Sequence, residues 1–171
     1  MKGYVQIYTG NGKGKTTAAI GLAIRAVGAG LKVYFGQFIK KGNYCEIKIL
    51  KKRFPEVTIR QFGCGNFIRG KPSPQDIRAA EQGLSKCQKA MLSGHYDIVI
   101  ADELNAAVSA RLLDIEKVLQ LIADKPDNVE LVITGRQAHR QLVDRADLVT
   151  EMKDIKHYFE QGIRARKGIE K

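Results

Sequence analysis

A glycine- and lysine-rich segment near the start of the sequence carries the clearest chemical signal. Residues 8–18 read Y-T-G-N-G-K-G-K-T-T-A and lie between a short apolar run and a segment with helical spacing. Glycines let backbone N–H groups surround an anion, and the first turn of a helix adds partial positive charge. The segment therefore predicts a phosphate-binding loop. We expect its phosphate contacts to come from Gly10, Asn11, Gly12, Lys13, Gly14, Lys15, Thr16 and Thr17.

Two side chains of this loop have specific expected roles. Lys15 brings a full positive charge to the outer phosphates, and the Thr16 hydroxyl is a ligand for Mg²⁺. The usual pattern, G-x-x-x-x-G-K-[ST], would place its first glycine where Thr9 stands. Counted from Gly10 instead, the loop is one residue shorter than usual. The orientation of the phosphates on this loop stays open at this point.

Two further polar groups follow apolar runs that are typical of buried strands. One run ends in Asp102-Glu103, and a strand beside the loop strand would aim these carboxylates at the metal held by Thr16. The other run ends in Thr-Gly and is followed by Arg136, whose guanidinium fits a phosphate clamp. The three histidines are isolated in the sequence, and no Ser/His/Asp or Cys/His set indicates a catalytic base.

The charge balance favours anionic partners. The 171 residues include 29 Lys and Arg against 18 Asp and Glu, a net charge of +11, which suits nucleotide phosphates or nucleic acid. A basic nucleic-acid-binding module is therefore one alternative, although aromatic residues form only 7% of the chain and supply few stacking platforms. A P-loop ATPase or small-molecule kinase that acts at the γ-phosphate is another alternative.

Cysteine use and hydropathy indicate a soluble cytoplasmic protein. The three cysteines are an odd number without a C-x-x-C pair, so the sequence predicts neither a disulfide framework nor a zinc site. No signal peptide is recognised. The apolar runs are too short to span a bilayer, and no membrane partner is expected.

The periodicity predicts a single domain over residues 1–171, with a basic tail from residue 153. Helices and strands alternate, which predicts an α/β fold of three layers: a mostly parallel sheet of about six strands with helices on both faces. Ser73 is the expected N-cap of a long helix, with Pro74 at its first position. The predicted strands are 4–8, 32–38, 57–62, 96–101, 129–134 and 147–152. The predicted helices are 17–27, 46–53, 76–93, 104–110, 114–123 and 138–145.

Several blocks, taken together and in order, resemble the P-loop ATP:corrinoid adenosyltransferases. They cover nearly the whole chain, and the shortened loop is one of them. The shared blocks are Thr9–Ala19, Gln37–Lys40, Asp102–Asn105, Thr134–Arg136, Ala146–Met152, Lys156-His157 and Gly162–Glu170.

This resemblance implies a RecA-like P-loop NTPase fold and a particular reaction. The 5′-deoxyadenosyl group of ATP would pass to the cobalt(I) of a reduced corrinoid, with triphosphate as the leaving group, in adenosylcobalamin biosynthesis or salvage. Cobalt(I) is a nucleophile with no proton to lose, so no general base is needed. The enzyme has to orient C5′ and stabilise the charge that develops on the leaving group. In this family the nucleotide lies reversed on the loop, which a shortened loop would suit.

The resemblance also implies roles for single residues. Lys15, Thr16 and Glu103 would be catalytic, while Thr16, Asp102 and Glu103 would manage Mg²⁺, for which Mn²⁺ could substitute. Arg25 matches a position associated with nucleotide binding, in addition to the loop and the proposed Arg136 clamp.

The match is incomplete where the family often carries Phe-x-Trp to keep the lower face of the corrinoid free of a ligand. This chain has Phe67-Ile68-Arg69, so Phe67 and Arg69 are its candidate corrinoid contacts. The resemblance further implies a homodimer and a flavoprotein electron donor, and it favours ATP and a corrinoid over nucleic acid as partners.

Overall fold

The alternation of strands and helices is organised around one six-stranded sheet in the computed structural model, which describes residues 2–65 and 70–170. The strand order is β3-β2-β4-β5-β1-β6, and within the described residues all five strand pairings are parallel. The strands are β1 (Val5–Thr9), β2 (Val33–Phe38), β3 (Val57–Phe62), β4 (Ile98–Asp102), β5 (Glu130–Thr134) and β6 (Leu148–Glu151).

The helices cover both faces of this sheet and confirm the predicted three layers. They are α1 (Lys15–Gly28), α2 (Cys45–Arg53), α3 (Pro74–Leu92), α4 (Leu104–Ser109), α5 (Ile115–Ala123) and α6 (Arg140–Arg145). The helix α3 begins as its sequence predicts: Ser73 and Asp76 form a reciprocal capping box, and Pro74 occupies the first turn. A short 3₁₀ helix, Tyr158–Gln161, follows in the tail.

Alternate side chains of the central strands enter two separate apolar cores. On β4, Ile98 and Ile100 pack with α1 and α2, whereas Val99 packs on the opposite face with α3 to α6. Every residue of β2, β4 and β5 is buried, as expected of strands covered on both faces. The strand β6, at the edge of the sheet, is exposed at all four residues.

One predicted adjacency is wrong. The strand that ends in Asp102 was expected beside the loop strand, but β5 lies between β4 and β1. Thr134, at the end of β5, therefore stands between the loop and the carboxylates. The side chains still meet, because the Thr16 hydroxyl reaches Asp102 from α1 across the end of β5.

Candidate active site

The predicted phosphate loop joins β1 to α1, and its conformation depends on glycine at two points. Gly10 and Gly14 have positive φ angles of 92° and 121°, which residues with a Cβ rarely adopt. Gly14 is also the N-cap of α1, so the free N–H groups of the first turn and the positive end of the helix dipole face the loop.

Lys15 is held inside the loop by two backbone carbonyl groups. Its Nζ donates to the oxygen of Gly10 at 2.6 Å and to that of Gly12 at 2.7 Å. The side chain is buried, and this burial, with the nearby charge of Arg136, lowers the pKa of Lys15 below its ordinary value. The ammonium is thus close to where phosphate oxygens would lie on the loop.

The loop packs against the segment that follows β6, and this contact explains a second need for glycine. The N–H of Gly12 donates to the carbonyl oxygen of Met152 at 2.8 Å. A Cβ on Gly12 would lie 2.7 Å from that oxygen, and one on Gly10 would lie 2.3 Å from it. The sequence suggested glycine only for the approach of an anion, whereas the structure shows that the protein's own backbone also requires it.

Asp102 is fully buried and its carboxylate receives three hydrogen bonds. Its Oδ1 accepts from the Thr16 hydroxyl at 2.9 Å and from the Thr134 hydroxyl at 2.7 Å. Its Oδ2 accepts from the Gln37 side chain at 3.0 Å. Because the carboxylate is covered on all these sides, its contribution is to orient Thr16 and to place negative charge behind it.

Lys40 and Glu103 form the more open part of this cluster. The Lys40 Nζ lies 3.2 Å from the Glu103 carboxylate and 3.9 Å from that of Asp102. Burial lowers the pKa of Lys40, but the two carboxylates outweigh that effect and the net pKa is raised. Glu103 sits in the left-handed region with φ of 63°, and its N–H donates to the Thr134 hydroxyl at 3.0 Å.

These groups open onto a cavity of about 760 Å³. Residues 11–17 of the loop line one side, and Lys40, Glu103 and Arg136 line the end nearest the sheet. The first residues of α2 and part of the tail, including Glu170, complete the wall. A volume of this size is typical of nucleotide-sized ligand sites.

The tail is held over the loop by a charged cluster. Arg166 donates to the Glu170 carboxylate through its backbone N–H at 2.7 Å and its guanidinium at 3.0 Å, and the Tyr158 hydroxyl donates to the same carboxylate. The Arg166 bonds, followed by that of Tyr158, lower the pKa of Glu170 to about 2. The Lys13 Nζ lies 3.7 Å from this carboxylate, so loop and tail are linked by opposite charges.

The oxygen donors at the cavity fit a hard divalent cation. Among residues 2–65 and 70–170, no group of three or more His, Cys, Asp and Glu could hold a metal by itself. The Thr16 hydroxyl and the Glu103 carboxylate nevertheless both contact one positive group, the Lys40 ammonium. Its Nζ donates to the Thr16 Oγ1 at 3.5 Å and pairs with Glu103. Mg²⁺ bound through phosphates and water needs only one or two protein oxygens.

The structure brings together most of the residues that the sequence selected. The loop, Glu103 and Arg136 share the cavity, with Asp102 behind Thr16, and their catalytic and binding roles stay predictions. Arg25 is separate: it is exposed in the last turn of α1, roughly 15 Å along the helix from its first residue. Phe67 and Arg69 lie outside the described residues.

Several contributors were missed from sequence. Gln37, Lys40 and Thr134 complete the carboxylate cluster, and His157 and Glu170 line the cavity. Lys40 did carry a signal, because a basic loop at the carboxyl end of a parallel strand lies at the edge where ligands bind. Thr134 lies in one of the shared blocks, but its contacts depend on the position of β5 in the sheet, which the sequence does not give.

In the described part of the chain, no helix is both long and apolar enough to cross a membrane. Cys45, Cys64 and Cys87 are free cysteines.

Comparison with known proteins gives consistent results over the length of the chain. The family model for ATP:corrinoid adenosyltransferase BtuR/CobO/CobP matches residues 1–170. The corrinoid adenosyltransferase of Pseudomonas aeruginosa is 36% identical over 170 residues, which cover 99% of this chain and 84% of that protein. The corrinoid adenosyltransferase CobA of Salmonella typhimurium is 37% identical over 172 residues, covering 99% of this chain and 86% of that protein.

Among solved structures, the RadB recombinase superposes with a TM-score of 0.58 at 14% identity, covering 91% of this chain and 77% of the recombinase. At that identity the similarity concerns the fold alone, and it confirms the predicted RecA-like P-loop arrangement.

Proposed function

The chain belongs to the ATP:corrinoid adenosyltransferase family, and we propose that its loop holds ATP by the triphosphate so that C5′ faces the nucleophile. It is an enzyme that transfers the 5′-deoxyadenosyl group of ATP to the cobalt of a reduced corrinoid, consistent with adenosylcobalamin biosynthesis. In this reaction the cobalt(I) electron pair forms the Co–C5′ bond. The C5′–O5′ bond breaks, and its electron pair leaves on triphosphate.

The ion pair between Lys40 and Glu103 is the observation that carries this proposal. A P-loop enzyme that acts at the γ-phosphate needs a group to orient water or accept a hydroxyl proton. Glu103 directly follows Asp102 at the end of β4, yet its carboxylate is 3.2 Å from an ammonium group. In the free enzyme this carboxylate is paired with Lys40, and with ATP bound it would hold Mg²⁺, so in neither state is it free to orient a water molecule or a hydroxyl group. Attack by cobalt(I) on carbon transfers no proton, so it requires no such acceptor.

The remaining groups would bind the leaving triphosphate. Lys15 would exchange its contacts with the loop carbonyls for phosphate oxygens, and the first turn of α1 would add backbone N–H donors. Arg136, exposed at the same cavity, would clamp a phosphate as well. Mg²⁺, or Mn²⁺ in its place, would neutralise further phosphate charge when bound, and Thr16 and Glu103 would hold it.

The finer assignments from the resemblance remain part of the proposal. Phe67 and Arg69 are proposed corrinoid contacts, and the proposed role of Arg25 in nucleotide binding rests on the resemblance alone. A homodimer is supported by Leu148 and Val149, which are exposed on the edge strand β6. A net charge of +11 suits an acidic flavoprotein as electron donor in the cytoplasm.

The test determines which bond of the nucleotide breaks. The protein is incubated without oxygen with a chemically reduced corrinoid, Mg²⁺ and the β,γ-imido analogue of ATP, whose outer phosphate resists transfer. We expect a light-sensitive alkylcobalt product and an intact imidotriphosphate, because C5′–O5′ is the bond that breaks. With ATP itself, formation of ADP or phosphate without alkylcobalt would favour an ATPase or kinase instead.

A matched pair of variants tests the phosphate clamp in the same assay. Lys15→Ala removes a charge-assisted contact and should lower transfer at least about 100-fold. Lys86→Ala removes an exposed charge on α3, away from the cavity, and should leave transfer unchanged. Full activity of Lys15→Ala would contradict the clamp.

A further inference from the structure

Lys40 is placed by a strained turn at the end of β2. Ile39, a β-branched residue, has φ of 64°, a conformation that such residues rarely adopt. The N–H of Lys40 donates to the carbonyl oxygen of Phe38 at 2.6 Å, and a Cβ on Gly63 would lie 2.1 Å from the carbonyl oxygen of Ile39. Strain that the surroundings maintain in this way tends to occur at functional sites. Its effect here is to turn Lys40 back toward the loop.

The Lys40 ammonium occupies the position expected of a metal cation. It lies 3.2 Å from Glu103, 3.9 Å from Asp102 and 3.5 Å from the Thr16 Oγ1. The Thr16 hydroxyl hydrogen is directed at Asp102, so its lone pairs are free for a cation. Lys40 keeps access to the cavity, because 28% of its side chain is exposed and it forms part of the cavity wall.

In a reversed nucleotide, the C5′–O5′ bond that breaks would lie at this end of the cavity. On an ordinary P-loop the threonine hydroxyl and the strand-end carboxylates flank the outermost phosphates, where transfer occurs. If ATP lies reversed, the phosphate that bears O5′ takes that place, and negative charge develops on O5′ as C5′ leaves. An ammonium at this point can neutralise that charge as it forms.

We propose that Lys40 is a built-in counter-cation that serves two anions in turn. In the free enzyme it neutralises Glu103 and Asp102 in place of a metal ion. When ATP and the metal bind, Lys40 turns to the triphosphate and stabilises the leaving O5′. The second step rests on the proposed orientation of ATP, whereas the first depends only on the contacts of the free enzyme.

Two binding measurements on Lys40→Met test this proposal. The affinity for ATP is measured by calorimetry in EDTA, and the affinity for Mn²⁺ is measured by electron paramagnetic resonance without nucleotide. We expect ATP to bind at least about tenfold more weakly, because without a metal ion the carboxylates of Glu103 and Asp102 are then no longer neutralised and repel the triphosphate. We expect Mn²⁺ to bind at least about tenfold more tightly, because a competing cation no longer neutralises the carboxylates.

The controls separate charge from structure. Lys40→Arg keeps the charge and should retain the metal-free ATP affinity within about threefold. Lys41→Met removes the neighbouring exposed charge and should resemble the unchanged protein in both measurements. If Lys40→Met does not fold, Lys40→Gln is measured instead. Unchanged ATP affinity, or ATP and Mn²⁺ affinities that fall together, would overturn the proposal.

Neither measurement contains a corrinoid, so the two proposals can fail separately. If the binding shifts appear and the unchanged protein forms no alkylcobalt from the imido analogue, the proposed reversed orientation and the second role of Lys40 fail, while its first role in the free enzyme stands. If alkylcobalt forms but Lys40→Met binds ATP and Mn²⁺ as the unchanged protein does, only the counter-cation proposal fails.

Discussion

Replacing Thr134 by valine should destabilise the protein by much more than a typical surface substitution. The side chain is fully buried at the end of β5. Its hydroxyl donates to Asp102 at 2.7 Å and accepts from the N–H of Glu103 at 3.0 Å. Valine has nearly the same shape, so the change removes both hydrogen bonds and leaves packing largely intact.

The size of the effect follows from these two bonds. A hydrogen bond to a charged group contributes about 1.5–3 kcal/mol, and leaving the partly buried N–H of Glu103 without this partner costs about 1 kcal/mol, the lower end for such a group. Because the two bonds share one hydroxyl, we expect a combined loss of about 3 kcal/mol in the free energy of unfolding. With a urea m-value of about 2 kcal/mol/M, the unfolding midpoint should fall by roughly 1.5 M.

The assay is urea unfolding followed by circular dichroism, with Thr150→Val as the matched control. Thr150 is exposed on β6, and its substitution should change stability by less than about 0.5 kcal/mol. The Mg²⁺ concentration for half-maximal transfer should also rise in Thr134→Val, because Asp102 and Glu103 lose their common anchor. A loss as small as that of Thr150→Val would refute the reasoning that this hydroxyl organises the carboxylates.

Two further predictions concern the loop and the cavity. Gly12→Ala places a Cβ 2.7 Å from the carbonyl oxygen of Met152 and should weaken ATP binding in calorimetry at least about tenfold. Gly21→Ala lies in α1, and no heavy atom is within 4 Å of the new Cβ. It should raise the free energy of unfolding by up to about 1 kcal/mol through helix propensity. Equal effects of the two variants would contradict the contact between Gly12 and Met152. Because Cys45 lines the cavity whereas Cys64 does not, saturating ATP should slow alkylation of Cys45 only, as followed by peptide mass spectrometry. Equal protection of both thiols would contradict the placement of the nucleotide.

Much of the fold could be predicted because its local signals agree with one another. The Ser73-Pro74 start of α3 and the glycine-rich start of α1 are local features, and the structure places both helices within a few residues of the prediction. The nearly pure apolar run of β4 also predicts a strand covered on both faces, and the run of β5 predicts a second buried strand; both are buried throughout.

The order of the strands could not be predicted in the same way. The insertion of β5 between β4 and β1 depends on pairing between distant segments, which no local pattern records. For that reason the sequence identified Asp102 and Thr16 as partners but missed Thr134, which joins them to the backbone of Glu103.

The sequence shows a basic residue at position 40, but it does not show that the Lys40 side chain points toward the carboxylates. A lysine after a strand is usually solvated, whereas this one follows Ile39 in the left-handed conformation and its ammonium lies beside Glu103. The tail illustrates the same limit, because its basic composition did not reveal that Glu170 would lie near Lys13 of the loop.

The position of β1 in the sheet has a consequence for how the protein is made. Residues 5–9 leave the ribosome early, but their hydrogen-bonding partners are residues 130–134 and 148–151. At ordinary rates of synthesis, the strand that carries the phosphate loop waits on the order of ten seconds for its first neighbour. During that time the sequence V-Q-I-Y-T is an unpaired, aggregation-prone edge. Pairing of the strand that carries the phosphate loop is therefore a late step in the assembly of this sheet during synthesis.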